Sequence, residues 1–486
     1  MLRGVVAAVF VLALGGVAAS AASGRPTGTH STKGTAPLRT AVFDPFTFNG
    51  SEYAAAFQMT RKAGAGYVRI TAPWSAVAPS RPTAGSDPGD PNWSGYQWSW
   101  LDTKTAAAEA AGLTPFLQIG SAPDWAVGKT NTPKIALLGQ FAKALALHYD
   151  GKHGAPAVHV FQVWNEPNLS QDLSPVKASV YRSMVNAVAT SAHAVSGANL
   201  VIAGGLDPFG HHKSKKQKWY SVAPLAFMRS LLCVSMGNHK AKKRRLRKPH
   251  ATCKAKTHFD VWSHHPYTFN GPFGHAGRKD DVSLGDLPKM RAVLRAAKKL
   301  HRLSSKHGVQ FWVTEFGWDT NPPRRHAAPV GLAARWTSEA LYQMWRSGVS
   351  LVTWFGLEDH GGKSPYQNGL YFHTSSLAHH ARAKPLRTAF RFPFIAYLGR
   401  RAISIWGRDA TSNKRLVTIQ RRHGRRGHWR TVARIRSNRS GIFKASVRLR
   451  ASTKDWLRAS ASGSGRSLAF SLKRPSHKLR YGPWGK

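Results

Sequence analysis

The sequence predicts an α/β chain, a closed (β/α)8 TIM barrel followed by a small all-β, sandwich-like C-terminal domain. Three observations predict it. Strand-like and helix-like segments alternate from Ala41 to about Ile395, the rhythm of parallel strands joined by crossover helices. Two strand-like runs, Val163–Pro167 and Trp312–Gly317, are apolar, β-branched and aromatic, and each ends in one glutamate before Pro or Gly. A buried parallel strand that delivers a carboxylate to the end of a sheet has this pattern. Beyond Ile395 the segments are short, alternating and separated by Gly, Ser and Arg turns, which is sandwich spacing.

Residues 1–21 have the form of a secretory signal: Arg3, an apolar stretch from Val5 to Val17, then Ala19-Ser20-Ala21 as a small-residue cleavage site. The mature chain is therefore expected to be secreted. Residues 22–39 are a Gly/Thr/Ser-rich flexible lead-in. The barrel is expected over 40–395, with strands at Ala41–Phe43, Gly66–Ile70, Pro115–Ile119, Val158–Trp164, Leu200–Ala203, Phe259–Ser263, Val309–Thr314 and Val349–Phe355. Helices fill the intervals: Glu52–Ala63, Trp100–Ala111, Pro133–Tyr149, Pro175–Ala194, Val222–Leu232, a long one opened by Asp286-Leu287-Pro288 and running to Ser305, and Gly331–Arg346. Gly112 and Gly308 stand where helices stop, and Pro133 where one starts. An open doubly wound sheet is the competing architecture, but no Gly-rich phosphate loop follows the first strand. Residues 396–486 form the C-terminal domain, with strands in Arg415–Gln420, His428–Ile435, Gly441–Leu449 and Trp456–Ala459.

The charge is extreme: 71 Lys and Arg against 22 Asp and Glu, a formal net of +49. Residues 396–486 alone carry 24 basic residues against Asp409 and Asp455. Such a field favours polyanions, and an anionic cell-wall polymer is one partner it admits; a merely solvated basic surface is the other reading. The run Lys240–Lys248 makes a basic insertion, 234–252, bracketed by the only two cysteines, Cys233 and Cys253. In an oxidising compartment these close one loop, worth roughly 3 kcal/mol; two free thiols are the alternative. No specific nucleic-acid motif and no transmembrane segment stand out.

In a parallel barrel the chemistry lies at the carboxyl ends of the strands. The polar and aromatic residues there are Arg69, Trp74, Trp125, Asn165, Glu166, His264, His265, Tyr267, Glu315, Trp318, Trp354 and Glu358. No ligand-spaced His/Asp/Glu trio points to a metal, and no cofactor is expected.

Those residues resemble a family. Asn165-Glu166-Pro167 after strand four and Thr314-Glu315-Phe316-Gly317 at the end of strand seven are similar to the clan A glycoside hydrolases, most like families 39 and 5. Arg69 in strand two, Asp124-Trp125 after strand three, His265-Pro266-Tyr267 after strand six, Trp354 on strand eight and Lys384-Pro385 before the last helix extend the likeness over about residues 40–400. The resemblance implies a retaining hydrolase of O-glycosidic bonds in a poly- or oligosaccharide, with Glu166 as acid/base and Glu315 as nucleophile. Arg69, Asn165, His265 and Tyr267 would position the carboxylates and the sugar. Trp74, Trp125, Trp318 and Trp354 would offer ring faces to it. Glu358 paired with Glu166 is a minor alternative. A different class of function, a non-hydrolytic wall carbohydrate or polyanion binder on a barrel scaffold, is motivated by the charge alone.

Overall fold

The computed structural model describes residues 30–31, 36–128, 130–213, 218–237, 248–361, 366–411, 414–475 and 481–483. The signal-like segment 1–21 and the basic run, apart from Lys248, lie outside the described residues.

Eight parallel strands close into a barrel: β1 (Arg39–Phe43), β2 (Tyr67–Pro73), β3 (Thr114–Gly120), β4 (Val160–Val163), β5 (Leu200–Leu206), β6 (Val261–His264), β7 (Gln310–Val313) and β8 (Leu351–Phe355). Each is followed by a helix: α1 (Tyr53–Lys62), α2 (Ser99–Ala110), α3 (Ile135–His148), α4 (Ala178–Val195), α5 (Pro224–Leu231), α6 (Leu287–Lys299), α7 (Val330–Arg346) and α8 (Pro385–Arg391). Gly112 ends α2 as expected, with φ +73° and its N–H donated to the Glu109 carbonyl.

The bottom of the barrel is plugged by Ala41, Phe116, Val160, Ile202, Val261, Trp312 and Leu351, with Tyr67 packed against them. Every strand contributes one residue to this layer. Side chains alternate along a strand, so the residues two positions onward also face the interior. They are Phe43, Arg69, Gln118, Gln162, Gly204, Ser263, Thr314 and Thr353, and the change from apolar to polar is abrupt. The plug excludes water below, and the next layer up carries the hydrogen-bonding groups on which the site is built.

The C-terminal domain is two antiparallel sheets. One joins β9 (Phe394–Leu398), β10 (Ile403–Arg408) and β13 (Ile442–Val447); the other is built on β11 (Leu416–His423), β12 (Arg430–Arg436) and β14 (Asp455–Ala461). It is welded to the barrel: buried Arg408 donates to the Leu38 carbonyl and to Thr40 Oγ1 at 3.1 and 3.0 Å. Arg335 of α7 lies 3.9 Å over the Phe470 ring and donates to the Ser471 carbonyl.

Three boundaries differ from the sequence reading. The lead-in is not wholly unstructured, because the backbone of His30–Ser31 pairs in parallel with Ile435–Arg436 of β12, and the barrel begins at Arg39. The long helix stops at Lys299 rather than Ser305: His301 turns left-handed (φ +54°), and Leu303–Ser304 then pairs with Thr257–His258. The sandwich begins at Phe394, because α8 has already ended at Arg391. Cys233 and Cys253 form the disulfide, and Val234–Ser235 pairs with His250–Ala251 beside it, so the insertion is stapled at its base. Among the described residues no helix is long and apolar enough to cross a membrane.

Candidate active site

The site stands directly on the polar layer. Arg69 is 1% exposed and its planar fork meets four acceptors. Nη1 donates to the Thr314 carbonyl (3.0 Å) and Glu315 Oε2 (3.1 Å), Nη2 to Gln118 Oε1 (3.2 Å) and Asn165 Oδ1 (2.8 Å). One buried cation thus ties β2, β3, β7 and the end of β4 together. Burial pulls the Arg69 pKa down, while Glu315 and Glu166 push it up. A guanidinium so held stays charged, which a lysine in its place would do less surely.

Glu315 follows β7 and accepts a second bond, 2.7 Å, from the Tyr267 hydroxyl. Burial and the Glu315 charge raise the Tyr267 pKa well above its usual value, so the phenol keeps the proton it donates. Glu315 Oε1 and Oε2 are therefore each engaged by a donor that orients the carboxylate.

Glu166 is built differently. Trp164 and Glu166 both adopt positive φ, +68° and +36°. Each costs on the order of 1–3 kcal/mol for a non-glycine residue and persists only where neighbours over-determine it. Here the neighbours are evident. Trp164 N–H donates to the Ile119 carbonyl, its indole to the Asp172 carbonyl, and Gln162 to the Trp164 carbonyl. Glu166 N–H donates to the Gly205 carbonyl. On the neighbouring β5, Gly204 (φ +101°) lets β6 come close, since a Cβ there would stand 2.2 Å from the Ser263 carbonyl oxygen. Burial, then the charges of Glu315 and Asp172, raise the Glu166 pKa well above the ordinary carboxyl range, against the pull of Arg69.

His265 joins the two carboxylates. Its Nδ1 lies 2.9 Å from Glu166 Oε1 and 3.9 Å from Glu315 Oε2, and its Nε2 lies 3.2 Å from Thr314 Oγ1. Burial lowers its pKa to about 4, although Glu315 opposes this, so the ring is neutral near pH 7. With the Thr314 hydroxyl donating to Nε2, the single ring proton sits on Nδ1 and is donated to Glu166. Burial likewise lowers His264 to about 3; its Nε2 bonds the Val282 carbonyl, a packing role.

The chemistry this arrangement can perform follows from the asymmetry. One carboxyl group has its hold on a proton strengthened by burial and the other is held by a cation and a phenol, both beside the same imidazole. The first can give a proton and the second can donate electrons.

The four tryptophans are placed otherwise than a set of open platforms. Trp74, Trp318 and Trp354 are 1%, 0% and 1% exposed. Trp74 stacks on Phe141, Trp318 packs against Phe316 and Trp336, and Trp354 donates its indole proton to the Asn368 carbonyl. Trp125 is buried and donates to the Ala78 carbonyl. The open aromatic surface instead includes Phe46 and Phe269, each 51% exposed, after β1 and β6. Glu358 is half-buried, raised to about 7 by burial and by Asp44, and pairs through its backbone with Tyr371. Asp359 beside it is held by Lys384 at 2.5 Å.

Several site residues escaped the sequence reading. Gln118 and Thr314 could have been found by counting two positions on from the plug. Asp172 could not: it lies in an irregular turn, half-buried, with a pKa raised by burial to about 6 and its Oδ1 3.4 Å from the Asn165 amide nitrogen. Among the described residues no group of His, Cys, Asp or Glu is arranged to hold a metal.

No protein-family model matches this chain. No curated protein matches it by sequence either. Solved structures do. A family 39 glycoside hydrolase (GH39) from Xanthomonas axonopodis pv. citri is 15% identical over 89% of this chain and 94% of its own, with a TM-score of 0.50. A monomeric β-xylosidase from Caulobacter crescentus CB15 is 14% identical over 87% and 96%, at 0.49. A family 39 glycoside hydrolase from the gut symbiont Bacteroides cellulosilyticus is 15% identical over 85% and 79%, at 0.48. The likeness is one of fold. It covers barrel and C-terminal domain together.

Proposed function

We propose that the chain is a secreted, retaining glycoside hydrolase that cleaves O-glycosidic bonds of a poly- or oligosaccharide by double displacement. The observation that carries this reading is the unequal carboxyl pair at the ends of β4 and β7, both within 3.9 Å of His265 Nδ1. Glycosidases work with two such groups, and a retaining enzyme needs them close, about 5–5.5 Å apart.

In the first step Glu166 protonates the leaving oxygen while Glu315 attacks the anomeric carbon, forming a glycosyl ester. The leaving group departs as an alcohol. In the second, Glu166, now ionised, takes a proton from water, which attacks the same carbon and releases Glu315. His265 stays neutral and donates to Glu166 in either state. Asn165 has its Oδ1 fixed by Arg69, so its amide N–H is available to a sugar hydroxyl. The glycoside hydrolases of similar fold favour the same reading. Secretion rests on the signal-like residues 1–21, and the excess charge suits an anionic wall polymer as a neighbour.

The test is turnover of a panel of aryl glycosides by the mature protein, with Glu166→Gln and Glu315→Gln. Each variant should lose roughly 10²–10⁴-fold in kcat, the range a positioned proton donor or its partner supplies. The Glu166→Gln loss should be smallest for the best leaving groups, which need least protonation. Wild-type turnover in either variant would sink the assignment.

A further inference from the structure

The C-terminal domain carries a cationic feature that the barrel chemistry does not use. At the hairpin end of β11 and β12, a cavity of about 310 Å³ is lined by Arg421, Arg422, His423, His428 and Arg430, with Gly427 and Val432. Beside it runs a ladder of planes: Arg458 lies 4.1 Å over the Trp429 ring, Arg422 lies 4.8 Å from the same ring, and Trp456 stands 5.7 Å from Arg422.

The charges here are unbalanced. From residue 414 to the C-terminus the only acidic residue is Asp455. It is buried and already engaged, by Arg421 at 3.0 Å and His423 at 2.9 Å. Among the described residues no carboxylate pairs with Arg422, Arg458 or Arg466. Arg422 Nε is shielded from solvent without a hydrogen-bond partner. Arg458 spends Nε on Gln420 Oε1, and burial, then the charges of Arg466 and Arg422, pull its pKa down. Like charges this close are a cost that a bound anion would relieve.

We propose that the Arg422–Trp429–Arg458 ladder and the adjoining cavity form a binding site for a carboxylate-bearing polysaccharide, separate from the catalytic centre. Both guanidinium groups lie over the one indole, and an arginine fork takes a carboxylate through two parallel hydrogen bonds. Two cations over one indole leave less of its ring surface for a stacked base, which a single-stranded nucleic acid needs. The choice of a glycan as occupant rests on the hydrolase reading. The site itself does not, and binding is read without turnover, so the two can fail separately.

The full-length protein is run in native gels containing polygalacturonate, with dextran as the neutral control, and Kd is taken from the retardation. Arg422→Gln/Arg458→Gln should weaken polygalacturonate binding at least tenfold. Lys298→Gln/Lys299→Gln, which removes the same charge from the exposed end of α6, should change it less than twofold. Arg422→Lys/Arg458→Lys should resemble the Gln pair, because it keeps charge and loses the paired edges. The thermal midpoint and aryl-glycoside turnover of the Arg422/Arg458 variants should stay at wild type. Equal weakening by the two Gln pairs, full binding by the Lys pair, or tighter binding of single-stranded DNA of matched charge overturns the proposal.

Discussion

The barrel mouth and the outer sheet of the C-terminal domain each place an arginine on an aromatic ring at the same distance: Arg69 is 4.1 Å from the Phe43 centroid and Arg458 is 4.1 Å from that of Trp429. The stacking is identical in kind and tells little about role. What differs is where the N–H edge goes. Arg69 donates to four internal acceptors drawn from β3 and the ends of β4 and β7. Arg458 donates its Nε to Gln420 and stands among other cations. The first is a buried keystone of the candidate site, the second a cation with no carboxylate partner among the described residues.

That contrast predicts very different costs. Arg69→Met leaves Glu315, Asn165 and Gln118 with buried unmet groups, and breaking such a pair costs about 3–5 kcal/mol. Arg458→Gln removes a half-buried cation that makes one side-chain hydrogen bond, to Gln420, and should cost about 0.5 kcal/mol. Denaturant midpoints of the two variants measure this directly. Comparable losses would show that the sandwich arginine is also structural and would weaken its assignment to ligand binding.

Carboxyl groups separate the two regions in the opposite sense. In the barrel Asp319 is pushed up to about 6 by burial, despite the Gln367 N–H and Arg324. In the sandwich Asp455 is also pushed up by burial, but the Ser452 N–H, His423 and Arg421 pull it down to a net value below 3.8. The signs then differ. Asp455 contributes stability that is present above pH 3.8 and lost as pH falls through its lower folded value. Asp319 contributes stability present below 3.8 and lost as pH rises through about 6. Asp455→Asn should therefore cost about 1–3 kcal/mol at pH 7, a penalty that shrinks towards zero in acid. Asp319→Asn should gain relative to wild type as pH rises from 3.8 to about 6 and keep that gain above it. Thermal midpoints of both variants between pH 3 and 8 give the comparison; parallel curves would remove the distinction.

The barrel was the legible region because its signals repeat. Apolar runs ending in Glu166 and Glu315, glycine stops such as Gly112 and a steady strand–helix rhythm point to the same architecture. Arg69, Asn165, His265 and Tyr267 were legible with them, since strand ends in a parallel barrel converge on one face. The tryptophans were misread as a set of platforms because an aromatic residue at a strand end can turn either into the wall or into the cleft. Trp318 and Trp354 turn into the wall; alternation from Leu351 and Thr353 faces Trp354 outward, whereas Trp318 lies beyond the end of β7, where period gives no guide. The left-handed Trp164 and Glu166 were invisible for a related reason: a non-glycine residue gives no sign of positive φ, and only the bonds from distant Gly205, Ile119 and Asp172 impose it. In the sandwich the short alternating strands were readable. The ladder was not, because Trp429 and Arg458 meet across a bulged register set by tertiary pairing.

The smallest predicted effect is the most discriminating for the proposed acid/base. Asp172 affects Glu166 in two separable ways. Its Oδ1 accepts from Asn165, which is geometric, and its charge raises the Glu166 pKa, which is electrostatic and ranks after burial and Glu315. Asp172→Asn keeps an acceptor oxygen and deletes the charge. Glu166 then loses its proton at lower pH, so the alkaline limb of kcat/KM should move acidward. Asp172 itself titrates near 6, so the variant and wild type should converge below that pH, where neither carries the charge. A role confined to holding Asn165 would lower kcat uniformly and leave the limb in place. The profile measured from pH 4 to 9 separates these outcomes, and an unmoved limb would mean that the raised pKa of Glu166 owes nothing to its second carboxylate neighbour.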